Sequence, residues 1–246
     1  MKRTLLFVIV FVLGALSLSA GEPKKSEGYR EFRVDYKRRA ALQFHIRATE
    51  KIAKLASDHA KNRSLQIECA RTSYYCAHRI DDDDEKVRIA TLGVKCANRM
   101  LAVNKHDYEG NVWWAMTTIR QKAADGITKI LGKASEIREF LQKLVKRNPN
   151  RFEGYLLLGA LYRDVPSVIM FGDDDKGLAL LKKGARLAPR NPEVLLELAA
   201  GYEAVGDDDM ARKTYLKCIN QSDVMPDLEW ETMDARRWAK KMISEL

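Results

Sequence analysis

The sequence predicts an all-α protein made of stacked antiparallel helix hairpins. Runs rich in Ala, Leu, Lys, Arg and Glu dominate the 246-residue chain, and these residues favour helices. There are only six prolines, and no segment alternates apolar and polar residues over the length of a strand. The strings FGDDDKGLALL and VGDDDMARKTY begin 34 residues apart, which indicates a repeated helix–turn–helix unit.

The first 20 residues have the layout of a secretory signal peptide. Lys2 and Arg3 precede an apolar core from Leu5 to Leu16, and small residues follow, with cleavage expected after Ala20. The apolar core is short for a hydrocarbon layer of about 30 Å, although retention as an anchor is the alternative. Glu22 stands where a lipoprotein signal has its cysteine, so no lipid anchor is implied. The pattern predicts an exported protein, either periplasmic or secreted.

The charge of the chain is moderately basic and spread over several helical segments. Loss of residues 1–20 removes two basic side chains, so the formal net charge falls from +9 to +7. Export argues against a nucleic-acid partner. The charge therefore supports at most a mild attraction to anionic surfaces or acidic partners.

Four cysteines leave the question of pairing open. Cys69 and Cys76 are seven residues apart, about 10 Å along a helix, which exceeds the reach of a disulfide. Cys96 could face either of them across a helix hairpin, and disulfides are allowed in an exported protein. The alternative is that all four, including Cys218, are buried free thiols.

After the leader we expect a flexible linker over 21–30 and one helical domain over 31–246. Glu31–Ala60 forms one long helix or two stacked ones, and further helices run over about Leu65–Arg79 and Glu85–Ala102. Gly126 and Gly132 are predicted to interrupt the next helical pattern.

Two clear repeats cover about 150–191 and 192–225, with degenerate repeats before them and a capping helix over about 226–246. The pattern is of the 34-residue tetratricopeptide (TPR) type, in which small residues sit where the two helices of a unit cross. In the capping helix, Leu228, Trp230 and Trp238 are expected to face inward. The predicted signature residues of the two repeats are Gly159, Tyr162, Gly177, Gly184 and Pro189 in the first, and Ala199, Tyr202, Gly206, Ala211 and Cys218 in the second.

The first repeat contains an insertion. Ala199 and Ala211 are 12 residues apart, whereas Gly159 and Gly177 are 18 apart. Pro166, within the insertion, is expected to kink or end its helix because it lacks an N–H group. The apolar insert VPSVIMF either covers the core or forms the lip of a groove for a ligand or partner.

Three acidic clusters, Asp81–Asp84, Asp173–Asp175 and Asp207–Asp209, stand before helical patterns. An Asp at this position can accept hydrogen bonds from the first N–H groups of a helix. The clusters lack the ligand spacing of an EF-hand loop. We expect helix capping and no metal site, with a calcium-dependent binder as a less favoured alternative.

No catalytic motif is found in the sequence. GITKILGKAS fails as a phosphate-binding loop because its glycines are wrongly spaced and Ala134 replaces the hydroxyl residue. GxSxG and HExxH motifs are absent, and the four histidines are scattered. We expect a protein that is not an enzyme and carries no cofactor.

The stretch from Trp113 to about Cys218 resembles the TatT-type periplasmic TPR proteins associated with TRAP transporters. The matching segments are LGVKCANRMLAVN, the Trp113–Trp114 helix, KLVKRNPNRFEGYLLLGALYRDVP and FGDDDKGLALLKKGARLAP. The regulator of microtubule dynamics family shows a similar arrangement, but the predicted leader disfavours it.

The TatT resemblance implies a non-enzymatic scaffold that forms homo-oligomers, binds a periplasmic solute-binding protein and has an apolar cleft for a small ligand. A general cell-envelope scaffold without a ligand is the alternative. The adjacent tryptophans would point about 100° apart on a helix. The groove residues implied by the match are Trp113, Trp114, Tyr162, Met170 and Phe171.

Overall fold

The computed structural model describes residues 26–246 except 169 and 226. These residues form eleven helices and no strand, which confirms the predicted fold class. The leader, its cleavage site and residues 21–25 of the expected linker lie outside the described residues. The helices are α1 (Glu27–Lys37), α2 (Leu42–Asp58), α3 (Arg63–His78), α4 (Asp83–Val103), α5 (Tyr108–Ala124), α6 (Ile127–Arg147), α7 (Phe152–Asp164), α8 (Asp174–Leu187), α9 (Pro192–Ala204), α10 (Asp208–Gln221) and α11 (Glu229–Glu245).

The chain divides into two compact units where the sequence predicted a single helical domain. Of the described residues, those up to Gly132 form the first unit and those from Lys133 to Leu246 form the second. Helices α1 to α5 belong to the first unit and α7 to α11 to the second. None of the helices formed by residues 26–246 is long and apolar enough to span a membrane.

In the first unit, the segment 31–60 forms two helices. Helix α1 already begins at Glu27, inside the expected linker, because the Ser26 side chain accepts a hydrogen bond from the Tyr29 N–H at 3.2 Å. Phe32 and Tyr36 anchor α1 through fully buried rings 5.3 Å apart. This burial explains why ordered structure starts earlier than the polar sequence suggested.

Helices α3 and α4 are joined by a disulfide between Cys69 and Cys96, with the two Cα atoms 6.2 Å apart. Of the two partners considered for Cys96, the structure selects Cys69. Cys76 and Cys218 are buried free thiols. Burial raises the pKa of each of these two thiols to about 12, so neither is a reactive thiolate at neutral pH.

The two glycines expected to interrupt the helical pattern after α5 behave differently. Gly126 separates α5 from α6 and has a φ of 115°, a conformation that glycine adopts at little cost. Gly132 lies within α6, where the prediction of an interruption was wrong. A Cβ at Gly132 would meet no atom within 4 Å, so no close contact requires a glycine at this exposed position.

In the second unit, α7 and α8 cross through two glycines. A Cβ at Gly159 would lie 2.8 Å from Leu181 Cγ and 3.0 Å from the Gly177 carbonyl oxygen. A Cβ at Gly177 would lie 2.9 Å from the Gly159 carbonyl oxygen. In the α9–α10 hairpin, Ala199 and Ala211 are fully buried.

The insertion lengthens the turn between α7 and α8. Residues 165–173 connect these helices, whereas only 205–207 connect α9 and α10. Helix α7 ends at Asp164, and Val165 is extended, as expected of the residue before Pro166. The shorter turn uses Gly206, which has a φ of 77°.

The predicted helix caps are confirmed at all three acidic clusters. The side chains of Asp82, Asp173 and Asp207 accept hydrogen bonds from backbone N–H groups three residues ahead, at 2.8, 2.9 and 3.1 Å. Further acidic residues occupy the first turns of α4, α8 and α10, where the positive end of the helix dipole favours them.

The capping helix α11 buries different residues from those expected. Leu228, just before α11, is fully buried as predicted. Trp230 and Trp238 are only half-buried, and cationic side chains lie over their rings. The buried residues of α11 are instead Glu231, Thr232, Ala235 and Ala239.

Gly159→Ala should destabilise the second unit. The added Cβ would overlap Leu181 and the backbone of Gly177, so we expect the free energy of unfolding to fall by roughly 1–3 kcal/mol. Urea unfolding followed by circular dichroism measures the change. The control is Gly132→Ala, which lies in an exposed helix with open space and should be neutral or stabilising. Equal effects of the two substitutions would contradict the close crossing of α7 and α8.

Reduction of the Cys69–Cys96 disulfide should destabilise the first unit by about 3 kcal/mol, because the bond closes a loop with a sequence separation of 27. Thermal unfolding with and without reductant measures the loss. A Cys69→Ala/Cys96→Ala variant should show no response to reductant. Alkylation of all four cysteines in the denatured, unreduced protein would contradict the pairing.

Candidate functional site

The five residues implied as a groove by the TatT resemblance fall in both compact units. Trp113 and Trp114 lie on α5 of the first unit, whereas Tyr162, Met170 and Phe171 lie in the second.

Trp113 fills the core of the first unit. Its side chain is 1% exposed, and its ring centroid lies 6.2 Å from that of Tyr74 on α3. The Tyr74 hydroxyl in turn accepts a hydrogen bond from the Arg120 guanidinium at 3.3 Å. Trp114, the next residue on α5, is half-buried. Of the two tryptophans, only Trp114 therefore has surface available to a ligand.

In the second unit, the insertion folds back onto α7. The ring of Phe171 meets the ring of Tyr162 edge-on, with centroids 5.7 Å apart. The Arg138 guanidinium lies 4.1 Å from the Phe171 centroid, and Gln142 Nε2 donates to the Tyr162 hydroxyl at 3.1 Å. The turn is fastened by the Asp173 N–H, which donates to the Tyr162 carbonyl at 2.9 Å. Tyr162 and Phe171 are thus occupied by contacts within the unit.

The rest of the insertion divides between the core and the surface. Val165 is buried, Met170 is half-buried and Val168 is 93% exposed. The Gly172 backbone runs so close to Val165 that a Cβ would collide with the Val165 carbonyl oxygen. Of the two roles considered for the insertion, these contacts favour that of a cover over α7.

Arg163 forms a buried ionic link between α7 and α9. Its guanidinium contacts the carboxylates of Asp164 and Glu197, each at 2.7 Å. Burial raises the pKa of Asp164 above its usual value, even though the neighbouring Arg163 acts to lower it. Burial acts to lower the pKa of Arg163, but the two carboxylates outweigh burial and raise it. The link is structural, because both of its ends are enclosed.

A surface groove of about 430 Å³ runs beside α10 in the second unit, and we call it the α10 groove. Its apolar lining comes mainly from α9 and α10, and its charged lining consists of Lys213 and Lys217 on α10. Leu216 is 45% exposed. The residues that line the groove are Ala185, Leu195, Leu198, Tyr202, Met210, Lys213, Thr214, Leu216, Lys217, Asn220 and Gln221.

A smaller cleft of about 190 Å³ lies between α3 and α4 in the first unit. Arg63, at its edge, contacts Asp107 at 2.6 Å and Glu109 at 2.7 Å. Arg99 donates to the Ser57 hydroxyl at 3.1 Å. The polar groups of this cleft therefore already interact with one another, which makes it a weaker candidate for a binding site than the α10 groove.

The histidines do not form a catalytic or metal-binding group. His45 is buried beside Arg79, at 3.1 Å between Nδ1 and the guanidinium, and burial followed by this positive charge lowers its pKa. Burial also lowers the pKa of His78. Within residues 26–246 as described, no three His, Cys, Asp or Glu side chains are placed to hold a metal ion.

The sequence analysis did not single out the α10 groove, although Tyr202, one of the residues that line it, was predicted as a repeat-signature residue. The pattern that could have indicated the groove is the segment 213–217, in which Leu216 stands between Lys213 and Lys217 and is exposed in the structure.

The fold defines an all-α protein of the TPR class. It is similar to the crystal structure of TTC0263, a thermophilic TPR protein of Thermus thermophilus, with a TM-score of 0.58 and 19% sequence identity over 85% of this chain and 98% of that one. It is also similar to MamA (41-end) of Desulfovibrio magneticus RS-1, with a TM-score of 0.44 and 13% identity over 80% and 96% of the two chains. No curated protein gives a significant match to the sequence.

The chain belongs to the family of regulator of microtubule dynamics proteins 1-3, whose sequence model matches residues 33–171, more than half of the chain. The argument from the predicted leader against this family was therefore wrong. The leader pattern covers only residues 1–20, whereas the match depends on the helical segment that follows. The resemblance to TatT is supported at the coarser level of a TPR protein.

Phe171→Ala should destabilise the second unit by roughly 1–3 kcal/mol, because it removes the ring that packs on Tyr162 and lies under Arg138. Urea unfolding measures the effect. The matched control is Val168→Ala in the same insertion, where 93% exposure predicts a change within about 0.5 kcal/mol. An unfolding free energy unaffected by Phe171→Ala would assign the ring to a groove lip.

Proposed function

We propose that this protein is a non-enzymatic scaffold for protein–protein interactions. The observation that carries the proposal is a TPR-type stack of helix hairpins that leaves an apolar groove accessible along α10. Stacked hairpins present extended surfaces on rigid helices, which suits them to binding other proteins. Burial raises the pKa of the Cys76 and Cys218 thiols to about 12, and this lack of reactive thiolates adds support for a role without catalysis.

The first candidate partner is the microtubule. The family to which the chain belongs is described as regulating microtubule dynamics, and its match extends over residues 33–171. A formal net charge of +7 without the leader would favour binding to an acidic polymer.

The second candidate is a periplasmic solute-binding protein, bound by an exported and trimeric scaffold associated with a TRAP transporter. The leader pattern and the resemblance to TatT support this role. The Cys69–Cys96 disulfide adds to it, because disulfides persist in oxidising compartments. In this candidate, Trp114 in the first unit and Met170 in the second would each offer apolar surface to a ligand within its own unit.

Co-sedimentation with assembled microtubules tests the first candidate. We expect the bound fraction of the purified chain to saturate with microtubule concentration and to fall as salt is raised, since exposed charges are screened. Pelleting that is independent of microtubules would reject this partner.

Native mass spectrometry tests the second candidate. A chain that begins at Gly21, a trimer, and a complex with a solute-binding protein would support it. A chain that retains residues 1–20 and forms no complex would reject it. If the chain bound neither microtubules nor a solute-binding protein, both candidate scaffold functions would be contradicted.

A further inference from the structure

We propose that the α10 groove binds a short, acidic, amphipathic helix of a protein partner. The inference rests on the scaffold function proposed above and names the kind of segment that the scaffold takes. Three properties of the groove support it: its length along α10, the state of the backbone around it, and the sign of its charges.

The length of the groove suits a linear segment. Its lining on α10 extends from Met210 to Gln221, about 16 Å at 1.5 Å per residue. The α10 residues recur at intervals of three and four, so they form one continuous face of the helix. The volume of about 430 Å³ falls within the range of roughly 300–1,000 Å³ that is usual for binding pockets. The groove is thus about as long as three turns of a helix.

The backbone around the groove favours a helix over an extended peptide. The lining residues all lie on helices, whose interior N–H and C=O groups are already paired. The Thr214 hydroxyl is also engaged, because it donates to the Met210 carbonyl at 2.7 Å. An extended peptide could form few backbone hydrogen bonds with this surface. A helix pairs its own backbone groups and offers an apolar face to the groove.

The charges around the groove select acidic partners. Lys213 and Lys217 are the charged residues of its lining, and no acidic residue lines it. A third ammonium group, that of Lys182 on α8, lies 4.9 Å from the centroid of the Tyr202 ring, which lines the groove. Negative charge does occur at Asp208 and Asp209, in the first turn of α10. The carboxylates of the bound helix are therefore expected beside Lys213 and Lys217, away from the start of α10.

The most exposed of the large apolar side chains that line the groove is that of Leu216. It is 45% exposed and stands one residue before Lys217 on α10. Covering this leucine would remove apolar surface from water, while the lysines on either side set the orientation of the incoming carboxylates.

The test uses a fluorescent synthetic peptide of about 14 residues, with leucines at helical spacing and glutamates on the flanks of the leucine stripe. Fluorescence anisotropy with the purified chain should show saturable binding. The double substitution Lys213→Glu/Lys217→Glu should weaken this binding about tenfold. The same variant should bind a peptide with lysines in place of the glutamates more tightly than the unmodified chain does. Leu216→Gln should also weaken binding, and because Leu216 is exposed, this substitution should leave the fold intact.

The matched control is Lys143→Glu/Lys146→Glu. It makes the same change in net charge at two exposed lysines of α6 in the same unit, outside the lining of the groove. Binding should be unchanged in this variant, and circular dichroism should show native helix content in all variants. Absence of binding to the glutamate peptide, or equal weakening by both lysine pairs, would overturn the proposal. The variant Lys213→Glu/Lys217→Glu could still bind microtubules or a solute-binding protein. That result would contradict the assignment of the α10 groove as the binding site, but not the proposed scaffold function.

Discussion

The close crossing of α7 and α8 at Gly159 and Gly177 is the constraint on which the second unit depends. Each glycine lies against the backbone carbonyl of the other, so the space that a side chain would fill is taken by the opposite helix. Leu181 packs over the same point and also lies against Gly201 of α9. One crossing therefore sets the positions of three helices. Because packed interiors tolerate little added volume, even a methyl group would have to displace a helix.

The groove beside α10 follows from how the next hairpin packs on this crossing. Helix α9 contacts both α8 and α10, and it supplies Leu195, Leu198 and Tyr202 to the groove. Buried Arg163 ties α7 to α9 through Glu197, so α9 is held by ionic as well as apolar contacts. A groove on packed, mutually anchored helices keeps its shape before a partner arrives. Such preorganisation lowers the entropic cost of binding.

The sequence predicted the repeat architecture well because its signals are local. The 12-residue spacing of Ala199 and Ala211, the capping aspartates and the stop at Pro166 each act within one hairpin. Features that depend on distant residues were harder to predict. Cys96 had two candidate partners until the fold placed α3 beside α4. Trp230 and Trp238 were expected to face inward, but the buried residues of α11 include Ala235 and Ala239 instead. The α10 groove was missed because its lining comes from three helices.

The disulfide and the family membership point to different cellular compartments. A disulfide is typical of an oxidising compartment, whereas microtubules lie in a reducing one. A regulator of microtubules would meet its partner in a reducing compartment, where a Cys69–Cys96 bond would not persist. The helical packing around the bond does not depend on it alone, since Gly93 of α4 lies against Ser73 of α3 and Thr117 of α5. We therefore expect the same fold with Cys69 and Cys96 either bonded or reduced, at different stabilities. Because the α10 groove lies in the other unit and contains neither cysteine, its proposed chemistry is the same in both compartments.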